Sequence, residues 1–367
     1  MNKVEQIRSE ENDFYSDDAL FNFNSWGADL SFRELIDRYE NDELIKPELQ
    51  RRYVWDKVEA SRFIDSVLLG LPIPSIFLAK QSNETMLIID GYQRIMTVFD
   101  YVRGIFSADN KVFKLSNTEK INKRWRGKAF SELDDTEQRR IRNTTIHAII
   151  FVQTHPESND TGMYQVFERI NTSGKTLFPQ EIRNCVYQGK LNDLLFNLNE
   201  NKTWRKLFGS KEVDIRMRDM EFILRFFTLK YYNYDDNQKS AISLKKELNV
   251  FMGEKTNNTD TKILELRSLF ENTIKTAETL FGLNAFHNIS KADTTKLVNK
   301  FNPTIFDSIM IALSHNMPIT MDRDWKKRRI KLLRDEKYQE AISIRTTNID
   351  NIEMRIDLAT SYLFGHE

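Results

Sequence analysis

One stretch, residues 86–104 (MLIIDGYQRIMTVFDYVRG), limits the folds open to this chain. Met86 to Ile89 read as a buried strand, which Asp90-Gly91 breaks. From Gln93 the period is helical, with Ile95, Met96, Phe99 and Val102 on one side and Gly104 as the stop. Asp90 followed by Gln93 has capping-box spacing, so a helix is expected to begin here. A strand running straight into a helix N-terminus leaves backbone N–H groups unpaired, with the positive dipole end outward. That is the raw material of an anion site. Gly91 lets a ligand approach the backbone, and Arg94 can add a guanidinium fork to the same phosphate. An ordinary strand–helix turn with a surface arginine is the competing reading.

The other segments follow the same logic. Ser31 with Glu34 starts a short helix, and residues 44–46 form a strand that Pro47 ends. Asp56 with Glu59 opens a helix that Gly70 and Pro72 stop, leaving Gln50, Arg51 and Arg52 in the loop before it. Residues 73–80 read as a strand that makes a hairpin with residues 86–89. Residues 105–145 read as charged and helical, and residues 145–152 (TIHAIIFV) as a β-branched strand. Met163, Val166, Phe167 and Ile170 mark a helix, followed by the donor-rich loop Asn171-Thr172-Ser173-Gly174-Lys175 and then Pro179 in a helix first turn. Such a loop can cradle a phosphate, although the Gly-x-x-x-x-Gly-Lys spacing of a P-loop is missing. From about residue 190 the pattern is helical.

Two basic clusters are candidate DNA contacts. One holds Lys123, Arg124 and Arg126 around Trp125; the other holds Lys327 and Arg328 beside Trp325. Solvated helix faces with packed tryptophans are the alternative for both. Charge is balanced, 54 basic against 54 acidic residues, so any DNA contact must come from local patches. At 40% hydrophobic content, 367 residues can build two cores. With 12 glycines and 7 prolines, turns should be few and helix dominant. No apolar run reaches membrane-spanning length and the N-terminus is polar, so neither a membrane span nor a secretory signal is expected. A single cysteine, Cys185, argues for a reducing, cytoplasmic setting. The five histidines show no metal-ligand spacing.

Three segments in order, residues 47–55 (PELQRRYVW), 89–94 (IDGYQR) and 167–184 (FERINTSGKTLFPQEIRN), resemble the GmrS-type N-terminal domain of the GmrSD restriction-enzyme family. The resemblance implies an α+β fold similar to ParB and sulfiredoxin, with a small mixed sheet, and the helical pattern from about residue 190 adds a helical C-terminal domain after it. The boundaries expected are a polar arm at 1–24, the GmrS/ParB-like domain at 25–190 and the helical domain at 191–367. It further implies an NTP-binding, often NTP-hydrolysing, module of bacterial defence against phage DNA, with Mg²⁺ as a companion ion. The family's Asp-Gly-Gln-Gln-Arg box reads Asp90-Gly91-Tyr92-Gln93-Arg94 here, with tyrosine in place of the first glutamine. If that glutamine positions water, the change bears on turnover and not on binding. Pro47, Gln50, Arg51, Tyr53 and Trp55 match one further motif, and Arg169, Ile170, Asn171 and Gly174 another.

On this reading Gln50, Arg51, Gly91, Arg94, Arg169, Asn171, Gly174 and Lys175 hold phosphates, while Asp90 and Gln93 orient water or a metal. The histidine cluster of a His-Asn-His nuclease is missing, so a separate nuclease or effector chain is the expected partner besides DNA, and a homodimer is compatible. The alternatives are a DNA-binding module without nucleotide chemistry and a metal-dependent nickase using Asp90.

Overall fold

Alternation along three strands decides the architecture of the N-terminal half. In the computed structural model, which describes residues 4–5, 23–45, 55–81, 83–153, 161–170, 177–214, 216–234, 241–320 and 324–365, a five-stranded mixed sheet forms in the order β1-β7-β3-β4-β2. Its strands are β1 (Phe23–Ser31), β2 (Leu44–Ile45), β3 (Ile76–Lys80), β4 (Met86–Asp90) and β7 (Thr145–Gln153). The expected hairpin is present as the antiparallel β3–β4 pair; β7 runs parallel to β3, and β2 parallel to β4.

Successive side chains point to opposite faces. Ile76, Leu78, Ile88, Ile146, Ala148 and Ile150 fall on one face. They pack with α1 (Phe32–Glu40), α2 (Lys57–Leu69), α3 (Tyr92–Arg103) and α4 (Asp135–Asn143). Ala79, Leu87, Ile89 and Phe151 meet α5 (Gly162–Ile170) and α6 (Pro179–Val186) on the other. Every buried strand thus has apolar cover on both sides. The Ser31 and Asp56 caps form as read, the second as a full capping box with Glu59. Pro179 occupies the first turn of α6.

Residues 105–134 depart from the helical expectation. A short ribbon, β5 (Ile105–Phe106) with β6 (Lys111–Val112), is followed by turns up to α4. The apolar residues here, Phe106, Phe113, Leu115, Ile121 and Trp125, are buried one at a time from a meandering chain. Only Ile121 and Trp125 among them stand four apart, so the run lacks the sustained three-to-four repeat that an amphipathic helix needs.

The C-terminal part is helical: α7 (Lys190–Asn199), α8 (Lys202–Phe208), α9 (Arg218–Tyr231), α10 (Leu244–Gly253), α11 (Asp260–Phe281), α12 (Pro303–His315), α13 (Trp325–Leu333), α14 (Glu336–Ala341) and α15 (Ile349–Phe364). Helix α12 is buried almost all round, as a central helix must be. Trp204 packs 5.4 Å from Phe306 and 5.7 Å from Phe301, ring centre to ring centre. One small ribbon interrupts the helices, β8 (His287–Ile289) with β9 (Leu297–Phe301). Near the chain's start, Val4 bridges to Phe301 and Glu5 donates its N–H to the same residue's carbonyl at 2.8 Å. Among the described residues, no helix is long and apolar enough to cross a membrane.

Candidate functional site

The junction between β4 and α3 is built around a glycine no other residue can replace cheaply. Gly91 has φ +99°, and a Cβ there would stand 2.2 Å from Ile76 Cγ2. The tight approach to β3 and the left-handed backbone both require glycine. Helix α3 begins at Tyr92 with Gly91 as its N-cap, and among the described residues no side chain caps it. Ser31, Asp56 and Asp134 do cap α1, α2 and α4.

The Asp90–Gln93 capping box is therefore not formed. Asp90 remains in the strand, opposite Phe77, and its carboxylate accepts from the Arg94 guanidinium one helical turn on. Arg94 also donates to the Pro74 carbonyl at 3.3 Å. The Arg94 side chain is largely enclosed at 13% exposure, whereas Asp90 remains open at 44%. Gln93 turns the other way, and its side-chain carbonyl accepts the Trp55 backbone N–H at 3.3 Å. Tyr92, the departure from the family box, is buried. Burial, with Tyr39 and Asp100 adding to it, pushes its phenol well above the ordinary range and keeps it neutral. The substitution thus falls on a core-facing position.

The flanks of the three sequence motifs converge on this strand end. Ile45 pairs with Leu87 of β4, and Trp55 is bonded to Gln93 while packing 5.6 Å from Phe63 of α2. On the opposite face Ile89 shares a core with Phe167 and Ile182, against which Ile170 and Leu177 also pack. Arg169 is exposed in the last turn of α5. Gln50, Arg51, Asn171, Gly174 and Lys175 lie outside the described residues.

Nothing in the spacing of the last motif indicates what it does. Gln180, Glu181, Arg183 and Asn184 are all buried. Arg183 bonds Glu221 of α9 at 2.7 Å, Asn249 of α10 at 2.7 Å and Gln180 at 3.0 Å. Glu181 meets Arg216 at 3.2 Å. Burial works to lower the Arg183 pKa, but the charges of Glu221 and Tyr164 outweigh it and hold the guanidinium above its ordinary value. Helix α6 is thereby wired to the C-terminal helices. The only available signal was a helix with four polar residues in five and no polar face.

The two basic clusters differ. Trp125 is buried and donates Nε1 to Asp65 at 2.5 Å; Arg124 pairs with Asp134 at 3.4 Å and Glu137 at 2.6 Å; Arg126 donates to the Ile121 carbonyl at 2.7 Å; Lys123 is exposed. In the second cluster Trp325 is buried against Phe364, and Arg328 donates to the Tyr362 and Gly365 carbonyls at 3.1 and 2.8 Å. Lys327 is exposed. Neither tryptophan is placed to stack on a base. His287 ends up in β8 and His315 in α12, and among the described residues no group of three His, Cys, Asp or Glu could hold a metal ion.

Residues 32–188 match the family model described as GmrSD restriction endonuclease, N-terminal domain. No curated protein and no solved structure matches the chain.

Proposed function

With residues 32–188 forming an N-terminal domain of the GmrSD restriction-endonuclease family, we propose that the chain is a nucleotide-binding component of a DNA-restriction or anti-phage system. The supporting observation is the uncapped start of α3 beside the Arg94 guanidinium. Backbone N–H groups at a helix start favour phosphate, and a guanidinium adds charge-assisted hydrogen bonds.

The residues fit a nucleotide's phosphates in kind. Gly91 has no side chain, and the first turn of α3 begins directly at the strand end. Arg94 is already held there by Asp90 and Pro74. Its exchange from Asp90 to a phosphate keeps one charged hydrogen bond in place of another. Gln50, Arg51, Arg169, Asn171, Gly174 and Lys175 are proposed to complete the site. An Asp90 carboxylate released from Arg94 is free to orient water or a Mg²⁺ ion, and such an ion would draw its other ligands from phosphate oxygens and water. Hydrolysis there would depend on electrostatic positioning, not covalent chemistry. We assign cleavage of DNA to a separate nuclease or effector chain.

The test is thermal unfolding against each of the four NTPs, with and without Mg²⁺. A ligand bound by the folded chain raises the melting temperature, by about 2.7 kcal/mol of stabilisation at a hundred times its Kd. A melting temperature unmoved by every NTP at millimolar concentration would overturn the proposal.

A further inference from the structure

The two basic clusters differ in how their charges are placed. Arg124 is neutralised by Asp134 and Glu137. On α13 the pattern is different. Trp325, Arg329, Leu332 and Leu333 turn inward, which places Lys327, Lys331 and Arg334 together on the outer face at steps of four and three residues. All three are exposed, as is Lys326 at their flank. Among the described residues, Lys326 and Lys327 have no carboxylate partner, and Arg334 donates only to the Thr294 carbonyl, at 3.4 Å. That bond brings the β8–β9 loop, with exposed Lys291, to the end of the row. In a chain of zero formal net charge this is a local surplus.

We infer that the outer face of α13 binds the phosphate backbone of duplex DNA. The row spans about 10 Å of helix, with charges on long flexible stems. Such a row meets the phosphates without reading bases. Single-stranded nucleic acid is the poorer fit, because it is gripped by stacking and the one aromatic ring of α13, Trp325, is buried against Phe364. Arg328 is not part of the surface, since it holds the end of α15. DNA as the partner rests on the function proposed above; the surface itself is independent of the Arg94 site.

The experiment is fluorescence anisotropy of the full chain on a mixed-sequence duplex at several salt concentrations. The variant carries Lys326→Ala, Lys327→Ala and Arg334→Ala, and the control Lys211→Ala and Lys275→Ala on other exposed surface. Each phosphate contact contributes about 0.9 to the slope of log K against log salt, so the variant should lose roughly 2 to 3 from that slope and bind at least about tenfold more weakly. The control should match the unaltered chain. Wild-type slope and affinity in the variant would overturn the assignment. So would a wild-type chain that ignores DNA but binds phosphatidylserine vesicles or polyglutamate through the same lysines. The NTP melting shift, measured on the same variant, separates the two proposals: its retention with DNA binding lost supports the α13 surface, and its absence with the DNA result intact counts only against the nucleotide site.

Discussion

The Arg94 guanidinium is bonded to the Asp90 carboxylate across a turn in which only Gly91 fits, so an enclosed cation at the strand–helix junction is held by an anion that is itself open to solvent. A phosphate arriving at α3 would compete with Asp90 for Arg94.

That competition gives the two residues opposite signs. Arg94→Ala should weaken nucleotide binding about ten- to a hundredfold, the worth of roughly 1.5–3 kcal/mol for a lost charged hydrogen bond. Asp90→Asn, measured in EDTA, should bind at least as tightly as the unaltered chain, because it removes the competing charge and keeps the shape. Titration calorimetry reads both. An Arg94→Ala chain with unchanged affinity removes Arg94 from the site, and a large loss in Asp90→Asn without metal rejects the competition.

Much of the N-terminal fold could be read from local chemistry. Ser31, Asp56 with Glu59 and Pro179 carry their instructions within three residues, and the alternation in β3, β4 and β7 needs no distant partner. Where a reading failed, a competing interaction was out of view. Asp90 could cap α3 or pair with Arg94, and Gly91 at positive φ took the cap position. Charge along 105–134 imitated a surface helix because it hid buried aromatics without a period. The deepest polar contacts were invisible for a simpler reason. Arg183 meets Asn249 from 66 positions away, and Arg225 meets Asp307 from 82. No repeat in a helix announces a guanidinium whose partner belongs to another helix.

The second of those contacts joins three helices. Asp307 of α12 accepts from Arg225 of α9 at 2.6 and 2.8 Å and from Arg355 of α15 at 3.3 Å, and Arg355 also holds the Thr346 carbonyl at 2.7 Å. All three side chains are buried. Removing the shared carboxylate takes the Asp307 counter-charge from two guanidinium groups in the core. Asp307→Ala should cost about 3–5 kcal/mol, visible as a large drop in the urea midpoint of the C-terminal helices. A drop under about 1 kcal/mol would mean that the arginines find other partners and that Asp307 is not the clamp.

Acid should loosen the same half of the molecule through His287. Its ring is buried in β8 beside Arg329; burial first and that guanidinium second push its pKa from 6.5 down to about 4. Arg329 donates to the His287 carbonyl at 2.9 Å, so the cation cannot withdraw without breaking the ribbon's tie to α13. The folded chain takes this proton only below about 4, whereas the unfolded chain takes it below 6.5. Between those values the unfolded state binds more protons, so this contribution is complete above 6.5 and is lost as the pH falls towards 4. Allowing for the solvent that still reaches the ring, the loss should be roughly 1–2 kcal/mol. His315, lowered by burial and by Lys230, acts in the same direction, so the measurement must be a difference. Urea midpoints at pH 7.5 and pH 5.0 should fall further apart in the unaltered chain than in His287→Gln, and equal separations would show that His287 does not titrate on unfolding.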